Sequence, residues 1–110
     1  MGTITSSREI DAMFQTGSRA AHPLVIALVA RTPEQRGPEG RVAFIAGKRI
    51  GGAVTRNRAK RVLRATAQRL GAPWAGYDVA LVARQDTGTA SSAELERAVS
   101  GVLHRLGVLS

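Results

Sequence analysis

Ile10, Met13 and Phe14 recur at helical spacing behind Ser6 and Glu9, a pair three residues apart as in a capping box. This pattern predicts a first helix over residues 7–16, with Gly17 ending it in a left-handed conformation. Residues 24–30 (LVIALVA) are an unbroken, partly β-branched apolar run, as a buried strand requires. The stretch 32–40 (TPEQRGPEG) holds two prolines and two glycines and reads as a turn region. Residues 41–46 form a second strand, and the two strands are expected to pair as a hairpin.

Ala59, Val62, Leu63, Ala67 and Leu70 then give one apolar stripe to a helix over residues 54–70, which Gly71 and Pro73 end. Residues 78–84 (DVALVAR) read as a third strand with aliphatic side chains on both faces. Ser91 and Glu94 form a second capping box. Leu95, Val99, Val102, Leu103 and Leu106 make the stripe of a last helix, closed by Gly107. The order α, β, β, α, β, α places three helices on a small sheet, an α+β chain without internal repeats.

Composition sets the frame for that pattern. A length of 110 residues supports one core, so residues 1–110 are read as a single domain. A 44% share of hydrophobic residues separates the chain from a disordered basic tail. It holds no cysteine, which excludes disulfides and thiolate metal sites. The opening residues 1–7 (MGTITSS) lack the apolar core of a signal peptide, and the apolar run at 24–30 is far too short to span a membrane. A cytoplasmic location with no membrane partner is expected.

Charge changes the picture most. Residues 47–70 carry Lys48, Arg49, Arg56, Arg58, Lys60, Arg61, Arg64 and Arg69 and no acid. The remaining eight Lys/Arg balance all eight Asp/Glu, so the whole net charge of +8 falls on 24 consecutive residues. Such a concentration repels itself unless a polyanion is close, and a nucleic acid backbone is the common dense polyanion. Within it, Gly51 and Gly52 turn the chain from a strand end into a helix whose free amides favour anions. Arg56, Asn57 and Arg58 occupy the helix's first turn, where the dipole disfavours cations, so something other than helix stability selected them. Lys60, Arg61 and Arg64 continue the charge along the face opposite the apolar stripe.

The string KRIGGAVTRNRAKRVLR (residues 48–64) resembles the Arg-Asn-Arg signature of the bacterial ribonuclease P protein component. The resemblance extends to REIDAMFQTG in the first helix, RVAFIAGKR in the strand before the motif and YDVALVAR in the last strand, about residues 8–106 in all. It implies an α/β sandwich with a central, mainly antiparallel sheet, three helices and a left-handed βαβ crossover (ribosomal protein S5 domain 2-like). It also implies a role as subunit of an endoribonuclease in which the RNA subunit is catalytic and the protein alone is inactive. Mg²⁺ held mainly by that RNA would activate the water that removes the 5′ leader of precursor tRNA. Lys48, Arg49, Arg56, Asn57, Arg58, Lys60, Arg61 and Arg64 fall on the family's RNA-facing positions. Ile10, Phe14 and Leu28 fall on its cleft for the single-stranded leader. Relatives often carry aromatics where Ile10 and Leu28 stand, a Val-Ser pair at Ala46-Gly47, and a basic stretch before the first helix. The implied partners are the catalytic RNA and precursor tRNA, with no protein partner required.

Other chemistry finds few parts. Phe14 is compatible by spacing with a core position as well as with the cleft. Trp74, after Pro73, is expected to pack over a helix end rather than stack on a base. His22 is expected to be exposed and His104 solvated, and neither has a Cys, Asp or second His at ligand spacing. No catalytic or metal-ligating residue is assigned to the chain. Two-metal hydrolysis needs clustered carboxylates, whereas Asp78 and Asp86 bracket one strand about 25 Å apart. A ribosomal or other structural RNA-binding protein would fit the composition and charge equally well; only the Arg-Asn-Arg string separates the two readings.

Overall fold

The computed structural model describes residues 7–33 and 38–109, and the order of its elements is α, β, β, β, α, β, α. They are α1 (Ser7–Thr16), β1 (Ser18–His22), β2 (Val25–Arg31), β3 (Arg41–Ile45), α2 (Ala53–Arg69), β4 (Tyr77–Ala83) and α3 (Ser92–Arg105). A single 3₁₀ turn, Lys48–Ile50, leads from β3 into α2. Ser6 of the expected first capping box and the middle of the 32–40 turn lie outside the described residues.

The sheet order is β1-β2-β4-β3. β2 pairs antiparallel with β1 and with β4, while β3 pairs parallel with β4, so the sheet is mainly antiparallel. The expected hairpin between β2 and β3 therefore does not form: β4 lies between them. The true hairpin is β1–β2, closed by Pro23 and Leu24 between the paired His22 and Val25. β1 escaped the sequence pattern because it is an edge strand, SRAAH, in which only Ala20 is buried. His22 is half-buried rather than exposed, since its Nδ1 accepts a bond from the Leu24 amide at 3.0 Å within that turn. A parallel β3–β4 pair requires a crossover, and α2 supplies it.

Alternation along each strand gives the sheet two different faces. Val25, Ala27 and Val29 of β2, Val79 and Leu81 of β4 and Val42 of β3 face the main core, with Ala59, Leu63 and Ala67 of α2 and Leu95, Val99, Val102 and Leu103 of α3. α2 lies over β3 and β4, and α3 over β1 and β2. The expected stripe of α2 is buried at Ala59, Leu63 and Ala67 and half-buried at Val62 and Leu70. Trp74 seals the end of α2, 8% exposed, with Nε1 donating to the Leu70 carbonyl at 3.1 Å. The Ser91–Glu94 capping box of α3 is complete in both directions, at 3.1 Å each way.

The opposite face carries α1, whose Met13 is buried with Leu28, Ala43 and Ala80. Gly17 does end α1, its amide bonded to the Met13 carbonyl at 2.9 Å, yet its φ is not positive. Space explains the glycine instead. A Cβ there would sit 2.6 Å from the Met13 carbonyl oxygen and 2.9 Å from that of Val29, so β2 passes too close for any side chain.

Candidate nucleic-acid interface

Successive residues of a helix turn by about 100°, which puts Asn57, Arg58, Arg61 and Arg64 within an arc of about 120° on α2, opposite buried Leu63. All four are exposed, as are Lys48 and Arg49 in the preceding turn; Lys60 is half-buried at the margin of the face, and Arg56 is half-buried about 20° from Leu63, off that face. Of the eight cations between residues 47 and 70, only Arg69 takes part in an ion pair between described residues, with Glu96 at 3.4 Å. The other seven are not neutralised by such a pair, and a dense polyanion is the partner that would screen them. Gly51 makes the turn into this helix possible. Its φ of 140° lies where side chains rarely go, and a Cβ would meet the Thr55 Cβ at 2.9 Å.

Two of the arginines are held by the fold. Arg58 Nε donates to the Gly88 carbonyl at 2.9 Å, tying α2 to the loop before α3 while the residue stays exposed. Arg64 lies over the Phe44 ring, 5.3 Å from its centroid, a cation–π contact that fixes the guanidinium beside the sheet's β3 edge. Neither tie was legible in the sequence, because the partners lie 30 and 20 residues away. Helix amphipathicity alone marked the face.

The second site is a trough on the α1 side of the sheet. Register places three rows of side chains across this face. Ala30, Asp78 and Arg41 form the first, and Arg19, Leu28, Ala80 and Ala43 the second. Ala21, Ile26, Val82 and Ile45 form the third. α1 covers the first two. Glu9 pairs with Arg41, and Arg41 reaches Asp78 Oδ2 at 3.4 Å, while the Thr32 hydroxyl donates to Asp78 Oδ1 at 3.2 Å. This clasp turns the Glu9 edge of α1 toward the first row. Phe14 lies about 140° around the helix from Glu9, so with Ile10 it forms the flank toward the third row. That row is only partly covered: Ile26, Val82 and Ile45 are half-buried and Ala21 is exposed.

The three expected cleft residues therefore occupy different depths. Phe14 is 53% exposed and stands clear of the core, Ile10 is half-buried, and Leu28 is 2% exposed beneath α1. The open floor belongs to Ile26, Val82 and Ile45, which sequence reasoning did not single out. The period-two pattern of β2, β3 and β4 holds them, but the strands carry apolar residues on both faces and nothing in them says which face lacks a cover. The trough's floor ends at Ile45, three residues before Lys48, so it opens toward the cationic turn and the start of α2.

The carboxylates beside the trough, Glu9 and Asp78, are both held by Arg41. Asp78 is engaged by Arg41 and Thr32, and Asp86 follows the far end of β4. Among the described residues no three His, Cys, Asp or Glu are grouped to hold a metal ion, and no helix is long and apolar enough to cross a membrane. A hollow of about 440 Å³ between α1, β1 and β4, lined by Thr16, Ser18, Arg31, Tyr77 and Leu106 among others, likewise contains no carboxylate or histidine.

Comparison with known proteins gives this geometry its relatives. The profile of the Ribonuclease P family matches residues 2–107. The ribonuclease P protein component of Dehalococcoides mccartyi (strain CBDB1) is 36% identical over 97% of this chain and 86% of its own length. That of Beutenbergia cavernae is 39% identical over 93% of this chain and 85% of its own. Among solved structures, the RNase P protein of Staphylococcus aureus superposes with a TM-score of 0.84, covering 100% of this chain and 99% of that one at 18% identity. The RNase P protein from Thermotoga maritima gives 0.77 over 100% and 99% at 16% identity, so the two structures show a shared fold. With the sequence match spanning nearly the whole chain and the same three-helix, four-strand fold, the chain belongs to the ribonuclease P protein family, as a subunit of the holoenzyme that partners its RNA.

Proposed function

We propose that the protein docks on the RNA subunit of ribonuclease P through the outer face of α2 and the Lys48–Ile50 turn, and receives the single-stranded 5′ leader of precursor tRNA in the trough beside α1. One observation carries this reading: of seven cations in a 24-residue segment that have no ion-pair partner among the described residues, six lie on or beside one face. Phosphates bound there release condensed counterions and satisfy charges that the fold leaves unscreened. A ribosomal or other structural RNA-binding protein shares the charge but not the family.

The trough suits a single strand. Phe14 offers a ring face for a base, and the floor of Ile26, Val82 and Ile45 offers apolar contact without reading base edges. Ile10 in the wall and Leu28 beneath α1 add apolar support rather than further rings. Bond cleavage is assigned to the RNA subunit. In this reading Mg²⁺ held mainly by that RNA would activate the attacking water, and no residue of this chain is assigned to it. The protein's part is to screen phosphates and to position the leader, from a cytoplasmic location.

Reconstitution tests the reading. Protein added to the catalytic RNA at low Mg²⁺ should accelerate removal of the leader, and RNA-free protein should cleave nothing. Mg²⁺-dependent maturation by rigorously RNA-free protein, or no acceleration at any Mg²⁺ concentration, would overturn it.

A further inference from the structure

Val54 is 84% exposed, and with Phe14 it is one of two large apolar side chains standing open among the described residues. It sits in the first turn of α2, on the axis of the cationic arc: Arg61 lies about 20° to one side of it and Arg58 about 40° to the other. The fold gives this valine no task. It buries almost nothing, its branched Cβ is less suited to a helix than alanine, and no neighbouring element covers it.

A helical side chain leans toward the N-terminus, so the residue placed to cover Val54 is Arg58, four positions on. Arg58 is drawn elsewhere. Its Nε bonds to the Gly88 carbonyl at 2.9 Å, and its Cδ and Cγ lie 3.8 and 3.9 Å from where a Gly88 Cβ would stand. With that stem committed to the loop and Val54 84% exposed, the valine stands as a bare apolar knob beside Asn57, Arg58 and Arg61.

Resting on the docking role of α2, we propose that Val54 is itself an RNA-contact residue, seated against the apolar face of a ribose or an unpaired base of the RNA subunit. Arginines reach phosphates from a distance, but a valine touches only what comes within van der Waals range. The helix must then lie close against the RNA, with its phosphate contacts arranged around a dry centre. Val54 contributes affinity without charge, and so without salt dependence.

That separation supplies the test. Binding of the protein to the ribonuclease P RNA is titrated over a series of salt concentrations for wild type, Val54→Ala and Arg61→Ala, with melting temperatures measured alongside. Val54→Ala should raise Kd by about fivefold to fifteenfold at every salt concentration, the upper figure being the full worth of the two carbons it removes, with an unchanged log–log slope and melting temperature. Arg61→Ala should instead flatten the slope by about 0.7–0.9. Val54→Glu, which suits a helix N-terminus but opposes phosphate, should weaken binding further while leaving the fold intact. A Val54→Ala Kd within about twofold of wild type, while Arg61→Ala flattens the slope, would overturn the contact and leave the docking face standing. If Arg61→Ala also left the slope unchanged, the docking role of α2 would fail with it.

Discussion

Replacing Arg41 by alanine should destabilise the protein more than any other single surface change on the α1 side. The side chain of Asp78 is 7% exposed and lies 3.4 Å from Arg41 Nη2, whereas the Glu9 side chain, 44% exposed, is screened by water. The Glu9 arm is therefore worth about 0–1 kcal/mol. Removing one partner of a buried pair costs about 3–5 kcal/mol, because the other charge stays behind uncompensated. Arg41 is itself 20% exposed and its reach to Asp78 is long for a charge-assisted bond, so the cost falls just below that range, at about 2–3 kcal/mol. Unfolding entropy near 2.1 cal/mol/K per residue gives about 230 cal/mol/K for this chain, so the melting temperature should fall by about 9–13 °C. Thermal unfolding followed by circular dichroism measures it. Arg41→Met combined with Asp78→Asn should recover at least half the loss, since neither charge then remains. A fall of less than about 3 °C for Arg41→Ala, or a double variant no better than the sum of its singles, would refute the clasp as a buried pair.

Phe14→Ala should cost less than about 1 kcal/mol of stability, since the ring is 53% exposed, yet weaken holoenzyme affinity for leader-bearing precursor tRNA by about 1–3 kcal/mol while mature tRNA binds as before. Equal loss for both ligands would remove the ring from the leader site. Trp74→Phe, which deletes the indole donor to Leu70 in a buried position, should cost about 1–3 kcal/mol in denaturant unfolding. Hydrogen bonds from the Ser91 amide and hydroxyl, with the nearby Arg97 charge, hold the Glu94 carboxyl below its ordinary range. A lowered folded-state pKa means that the cap's increment is complete above the usual glutamate range and fades as pH falls through and below it. Glu94→Gln should therefore flatten that part of the acid limb of a melting-temperature profile, and an unaltered limb would count against the charged cap.

The sequence showed what local physics controls and hid what tertiary pairing decides. α1 begins and ends where the apolar spacing put it, and the Ser91–Glu94 box announced α3. β1 was invisible because an edge strand with one buried residue carries no periodic signal. The pairing of β2 with β4 instead of β3 depends on a parallel crossover that no short-range pattern encodes. The cationic face of α2 was legible because charge and helical period coincide in one segment. The trough was legible in its Phe14 wall but not in its floor, because burial of Leu28 and partial exposure of Ile26 depend on where α1 lies. The clasp that sets α1 joins residues 32 and 37 positions apart and leaves no local trace.

The docking role of α2 meets its most direct test in the salt dependence of RNA binding. Lys48, Arg49 and Arg61 are exposed and take part in no ion pair between described residues, so replacing all three by alanine should leave the fold intact. Each lost phosphate contact lowers the slope of log K against log salt by about 0.7–0.9. The triple variant should bind the ribonuclease P RNA with a slope reduced by about two to three units and an unchanged melting temperature. A correctly folded variant that kept the wild-type slope would show that the RNA docks elsewhere.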